Sequence, residues 1–464
     1  MIEQVEQYLD SHRQEYLERL KEFLRIPSIS TAPESARDTR RAAEWVRNLI
    51  SQCGIVAELV DTPRHPCVIG DSGPTAGGAP TVLIYGHYDV QPTGALELWK
   101  SPPFDPQIRD GRLYARGAAD DKGQVLTHLL AVEAWSRVAG RLPLRVKFLI
   151  EGEEEIGSAN LEPLVRARRE RLACDYIALS DTAKFDEETP AITYGTKGLV
   201  YKEIRVYGPA ADLHSGAFGG TVANPGNVLA RIIASLKDAD HRITIPGFYD
   251  DVSDITPAES AQMQRLPFDE QAYLRSLGSL TLVGESGSTT LQRRWCRPTL
   301  DVNGLFGGYM GPGAATIIPA WVGAKVSMRL VPNQDPEKIG AAFDAAVRRA
   351  AGPDVRVEID THGSAAAYVC PIDSPGARAA ARALEAGFGR APVFIREGGT
   401  LPILPMFKAI LGADALMMGF SVPNCNLHSP NEFMVLDDFY AGIRTAAHFL
   451  KALAEVEQRS TADP

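Results

Sequence analysis

The sequence predicts an α/β fold: a mainly parallel-sheet domain interrupted by an inserted two-layer α+β domain. Three observations carry this reading. Short apolar runs alternate with helical patterns through the first part of the chain, which implies parallel strands joined by helical crossovers. The periodicity changes after residue 193, and the first pattern resumes at Ser374. The polar, chemically suggestive runs directly follow the apolar strands, where an open α/β sheet forms its binding crevice.

Taken in order, residues 1–25 form an amphipathic, largely acidic surface helix. It ends near Ile26-Pro27, because a residue before proline avoids the helical region. A helix over 39–52 precedes strands near 56–59 and 81–85. Residues 122–138 read as a helix, and 144–150 and 175–179 as strands. The inserted segment has strands at 199–207, 320–330 and 355–359 and helices at 224–236 and 336–350, close to a split β-α-β plan. Residues 237–313 are rich in Pro and Gly with little periodicity, and no element is predicted there. A helix at 377–387, strand-like runs at 393–396 and 415–418, and a helix at 437–453 complete the chain. The expected domains are therefore 1–193 with 374–464, and an insertion of 194–373.

At 464 residues the chain exceeds one compact core. Its 45% hydrophobic and 23% charged residues are ordinary for a soluble protein. A net charge of -10 argues against nucleic acid or an anionic membrane as a partner. No stretch approaches the roughly 18–20 apolar residues of a membrane span, and the N-terminus lacks a signal-peptide pattern. The six cysteines are scattered without a C-x-x-C pair, which suits a reducing, cytoplasmic setting. Cys425 is expected to be a packed free thiol.

Five motifs carry chemistry. In His87-Tyr88-Asp89 the residues i and i+2 point to one side of a strand. His87 is thus placed to ligate a metal while Asp89 holds its other ring nitrogen. A strand-end histidine bonded to a turn aspartate accounts for that pair equally well. Asp120, at the start of a helix, would bridge two cations, one carboxylate oxygen to each; Asp120-Asp121 could equally be an N-cap and a first-turn charge. Glu151, Glu153, Glu154 and Glu155 crowd the end of a buried strand, where their repulsion calls for a cation. Ser180-Asp181 follows another strand, and His428 lies in Leu427-His428-Ser429-Pro430-Asn431-Glu432. Collected, His87, Asp120, Glu155, Asp181 and His428 form a mixed imidazole and carboxylate ligand set. Such a set suits zinc, with manganese or cobalt as substitutes, better than calcium or magnesium.

With these motifs on the page the chain resembles the M20 family of dinuclear zinc metallopeptidases. Within it, the likeness is to the cytosolic dipeptidase branch that includes the carnosine and Cys-Gly dipeptidases. The resemblance spans nearly the whole length. It rests on the runs starting at Gly86, Arg116 and Glu151, on Asp212-Leu213-His214-Ser215-Gly216, Arg329-Leu330-Val331-Pro332 and Arg396-Glu397-Gly398-Gly399-Thr400, and on His428-Ser429-Pro430-Asn431-Glu432. It implies a zinc-peptidase catalytic domain and an inserted lid and dimerisation domain. Two zinc ions per subunit are implied, one held by His87, Asp120 and Asp181, the other by Asp120, Glu155 and His428, with a cis Asp120–Asp121 bond. Glu154 would be the general base, Asp89 would orient His87, and Glu153 has no role. His214, supplied by the second subunit of a homodimer, would stabilise the oxyanion. Arg329 would pair with the C-terminal carboxylate of a short peptide, although a strand-end arginine in a surface ion pair would look the same. Thr316, Gly398, Gly399 and Thr400 would contact substrate. The implied activity is hydrolysis of small dipeptides by a water between the zinc ions. The alternative is an N-acyl amino acid amidohydrolase or deacylase with the same site. The remaining histidines (His12, His65, His128, His241, His362, His448) are expected in packing or surface roles.

Overall fold

Val82, Leu83 and Ile84 are apolar in succession and all buried, as a strand covered on both faces requires. They belong to Thr81–His87 in the computed structural model, which describes residues 1–75 and 78–456. Thr81–His87 pairs in parallel with Arg145–Glu151 on one side and Tyr176–Leu179 on the other. Asp414–Gly419 adds a parallel strand beside Tyr176–Leu179. Antiparallel strands flank this centre: Cys67–Asp71 and then Val56–Val60 at one side, Ala191–Thr196 at the other. The α/β class holds, with parallel pairing joining the four central strands.

The described residues fall into two units. One lies within Met1–Tyr194, Cys370–Ile395 and Met406–Pro464, the other within Gly195–Val369 and Arg396–Pro405. In the first, the helix Lys122–Ala139 is buried from Lys122 through Trp135 and packs against Thr81–His87, the closing helix Leu436–Ala454 and the N-terminal helices. A helix enclosed by neighbours has to be apolar nearly all round, and Val125-Leu126 and Leu129-Leu130-Ala131-Val132 make it so.

The N-terminal region is not one surface helix. It forms Ile2–Ser11 and Arg13–Leu24, broken at His12, and buries Val5, Leu9, Tyr16, Leu20 and Phe23. Its end is tied to the next motif. The fully buried Lys122 donates through Nζ to the carbonyls of Ile26 at 2.6 Å and Phe23 at 3.2 Å.

The second unit is built on a four-stranded antiparallel sheet ordered Thr299–Gly307, Trp321–Leu330, Gly198–Tyr207 and Arg356–Ala365. The helices Pro225–Ala234 and Pro336–Ala351 pack on it around Val200, Ile204, Val326, Met328 and Phe343. The edge strand Thr299–Gly307 leaves Val302 and Leu305 exposed. Residues 237–313, unassigned from sequence, hold the short helices Pro257–Gln264, Glu270–Leu277 and Thr290–Trp295. Two of these open on capping boxes, Thr256 with Glu259 and Thr289 with Gln292.

Candidate metal centre

Four of the proposed ligands sit at the end of a strand or the start of a helix in the first unit, and His428 lies in a turn between Asp414–Gly419 and Phe433–Val435. His87 closes Thr81–His87. Its Nδ1 lies 3.0 Å from the backbone carbonyl of Asp89, and a carbonyl only accepts, so Nδ1 carries the proton. In the neutral ring Nε2 is then the lone-pair nitrogen. That atom is buried without a hydrogen-bond partner, 3.1 Å from Asp120 Oδ1 and 3.8 Å from Asp181 Oδ2. Across the site, His428 Nε2 lies 2.8 Å from Asp120 Oδ2 and 3.4 Å from Glu155 Oε2. The ligand atoms of each triad, His87 with Asp120 and Asp181, and Asp120 with Glu155 and His428, fall within 4.8 Å of one another. Asp120 thus turns one oxygen to each triad.

The local backbone makes this possible. The Asp120–Asp121 peptide bond is cis. A Cβ on Gly123 would stand 1.9 Å from the Ala118 carbonyl oxygen, so the turn closes only over glycine. Asp121 does not point into the cluster: its Oδ2 accepts the His87 N–H at 3.2 Å. His428 is exposed and holds a left-handed φ of 56°.

The acidic run divides into two pairs. Glu151 accepts from Tyr85 Oη at 2.6 Å and Ser158 Oγ at 2.9 Å. Glu153 accepts from Thr62 Oγ1, the His65 N–H and Asn160 Nδ2, so this residue, given no role from sequence, ties neighbouring loops together. Of the run, Glu155 belongs to the cluster, and Glu154 interacts electrostatically with His87, Asp181, Asp120 and Glu155. Asp89 supports them: its Oδ1 accepts the Glu154 N–H at 3.3 Å and its Oδ2 the Glu155 N–H at 3.1 Å. Its Oδ1 also stands 3.3 Å from His87 Nδ1. Gln91, unassigned from sequence, holds Glu155 through its N–H at 3.1 Å and Nε2 at 2.8 Å.

The electrostatics fit a cation. Burial, then the crowding of Asp120, pushes Glu155 up to about 7 and Asp181 up to about 6. Burial also holds Glu154 well above the usual carboxylate range; His87 opposes this and the neighbouring carboxylates add to it. Only Asp120 is lowered. Burial works against that shift, and the two imidazoles that face its oxygens, His428 and His87, overcome it. A nest of carboxylates whose charge the protein itself disfavours, facing a partnerless imidazole nitrogen, matches the donor chemistry of a mixed His/carboxylate metal site.

Residues 83–452 match peptidase family M20/M25/M40. The chain belongs to this family. The Cys-Gly metallodipeptidase dug1 of Schizosaccharomyces pombe is 31% identical, the alignment covering 98% of this chain and 99% of that protein. The Beta-Ala-His dipeptidase of Homo sapiens is 32% identical over 98% of this chain and 93% of its own length. Among solved structures, human carnosine dipeptidase 1 superimposes with a TM-score of 0.83 at 31% identity, covering 98% of this chain and 99% of its own. An M20 family metallo-carboxypeptidase of Sulfolobus solfataricus, Sso-CP2, gives 0.85 at 34%, covering 95% of this chain and 100% of its own. This M20 chain is therefore a hydrolase of the metallopeptidase type.

The other six residues singled out from sequence lie in the second unit. His214 pairs with Ile317 on a two-stranded ladder, where the Ser215 N–H donates to the Thr316 carbonyl at 2.9 Å. Its Nδ1 accepts the Ala217 N–H at 3.1 Å. Arg329 Nη1 donates to Thr400 Oγ1 at 2.7 Å, and the Lys197 N–H to the Gly399 carbonyl at 3.0 Å. The Cβ position of Gly399 faces open space, while that of Gly398 lies 3.2 Å from the Arg294 carbonyl oxygen. Cys425 is buried against Ala119, Val422 and Phe433, a packed thiol as expected. Among the described residues no helix is long and apolar enough to cross a membrane.

Proposed function

We propose that this protein hydrolyses the peptide bond of dipeptides or very short peptides with two zinc ions per subunit, manganese or cobalt being able to substitute. His87, Asp120 and Asp181 would hold one ion, and Asp120, Glu155 and His428 the other. The observation that carries this is the division of Asp120, Oδ1 toward His87 and Oδ2 toward His428. Bound there, the cations would polarise a carbonyl oxygen and acidify water near neutral pH.

The chain's own groups do the rest. Glu154 takes the proton of the attacking water and returns it to the leaving amine, a role suited to a carboxyl that burial raises above the usual carboxylate range. Asp89 fixes His87 and the turn of Glu154 and Glu155 at once. Arg329, braced by Thr400, is assigned to the substrate's terminal carboxylate, with Thr316, Gly398 and Gly399 as further contacts. His214 is assigned to the oxyanion, donated by the second subunit of a homodimer. A dimer formed through the inserted lid domain, 194–373, accords with the apolar Val302, Leu305, Tyr309 and Met310 left exposed on and after its edge strand. Six free cysteines accord with a cytoplasmic location.

Full-length relatives named as dipeptidases favour dipeptides over acylated amino acids. The test is to strip the protein of metal, restore zinc, manganese or cobalt, and assay Cys-Gly and β-Ala-His beside N-acetyl and N-succinyl amino acids. Dipeptide turnover dependent on added metal is expected. Turnover of the acylated amino acids alone would overturn the reading.

A further inference from the structure

Glu432 belongs to neither triad, yet it is fully buried and every lone-pair direction of its carboxylate is engaged. Oε1 accepts the N–H groups of Ala119 at 2.9 Å and Asp120 at 3.1 Å. Oε2 accepts the N–H of Gly117 at 3.0 Å and Nη1 of Arg116 at 2.7 Å. Its backbone carbonyl takes the Ala115 N–H at 3.1 Å. The turn before Asp120 is therefore wrapped around one anion. Gly117, at φ 84°, supplies the left-handed step that aims successive N–H groups inward. Arg116, also buried, carries the network on to the Pro92 carbonyl at 2.9 Å.

We propose that Glu432 is a positioning residue for both cations. Its carboxylate fixes the peptide plane leading into Asp120, and its main chain fixes the end of the loop that presents His428. This rests on the two-metal reading above. The physical reason is the shared ligand. Because Asp120 serves both triads, a small rotation of its backbone draws one oxygen away from each. The buried N–H groups gathered on Glu432 have no other acceptor there, so the turn relaxes if the anion is lost. The competing account is that Glu432 merely neutralises Arg116.

Glu432→Gln places an amide NH₂ against one pair of donors. Arg116→Gln/Glu432→Gln removes both charges and leaves the turn without its anion. Wild type and both variants, with folding followed by near-UV circular dichroism, are stripped of metal and titrated with zinc and with cobalt by calorimetry. Wild type is expected to bind two ions per chain; if it binds none, the two-metal reading fails and this proposal falls with it. Both variants are expected to bind each ion on the order of 10–100-fold more weakly, with kcat partly recovered by excess metal and KM for the dipeptide unchanged. Wild-type affinity in Glu432→Gln overturns the proposal. So does affinity restored in the double variant, since charge balance would then suffice. Failure of both variants to fold also overturns it, because Glu432 would then determine folding.

Discussion

Replacing Asp89 perturbs two loops at once. Its carboxylate is 0% exposed and holds the N–H groups of Glu154 and Glu155 while facing His87 Nδ1. Hydrogen bonds to an ionised group contribute about 1.5–3 kcal/mol each, so the two backbone bonds together are worth about 3–6 kcal/mol. Asp89→Ala forfeits both, less whatever entering water recovers. Asp89→Asn keeps one carbonyl oxygen and sets an NH₂ against the remaining donor, so its loss is at least the roughly 1.5–3 kcal/mol of one bond. The same bonds shape the turn bearing the base and one metal ligand, so kcat should fall on the order of 10–100-fold in Asp89→Asn. Urea denaturation and steady-state kinetics at saturating zinc, in one buffer, measure both quantities. Wild-type stability with wild-type kcat would refute the account. Lost stability with intact kcat would confine Asp89 to the fold.

Three further outcomes are expected. Glu154→Gln should keep its metal content while turnover falls roughly 10²–10⁴-fold; undiminished kcat would remove its role as base. His214→Ala and Glu154→Gln should each be inactive alone yet recover partial activity on mixing under subunit exchange, and no recovery would count against a site completed by a second subunit. His128 is buried beside Ser180 Oγ at 2.7 Å, and burial lowers its pKa to about 4. A depressed histidine contributes stability that is present above its unfolded value near 6.5 and is lost as pH falls from there toward 4. That gap corresponds to about 3 kcal/mol. His128→Gln should flatten that part of the stability profile in urea titrations between pH 4 and 7; an unchanged acid limb would contradict the assignment.

Most of the site was legible because its residues stand at the ends of apolar runs. His87, Glu151 and Asp181 each close or follow a buried central strand, and that context separates a ligand from a stray surface acid. The short strands Cys67–Asp71 and Ala191–Thr196 escaped notice, being brief segments between glycine- and proline-containing stretches. The helices within 237–313 are too short to show a period, but their Thr-x-x-Glu and Thr-x-x-Gln starts were readable signals. The break at His12 was hidden because the acidic, amphipathic pattern continues across it. Glu432 and Arg116 lay inside recognised motifs, but apart from each other their partners are backbone N–H and carbonyl groups, which leave no trace in side-chain chemistry. Glu153 was indistinguishable from its acidic neighbours until Thr62 and Asn160 were seen to satisfy it.

The grip of Lys122 on the carbonyls of Phe23 and Ile26 makes the leading helices more than an appendage. Clipping them away by a protease, or prying them loose with a bulky fusion, would take from Lys122 Nζ its two carbonyl acceptors, two residues from Asp120. Damage at the start of the chain should therefore register first as lost cation retention rather than as a frayed terminus.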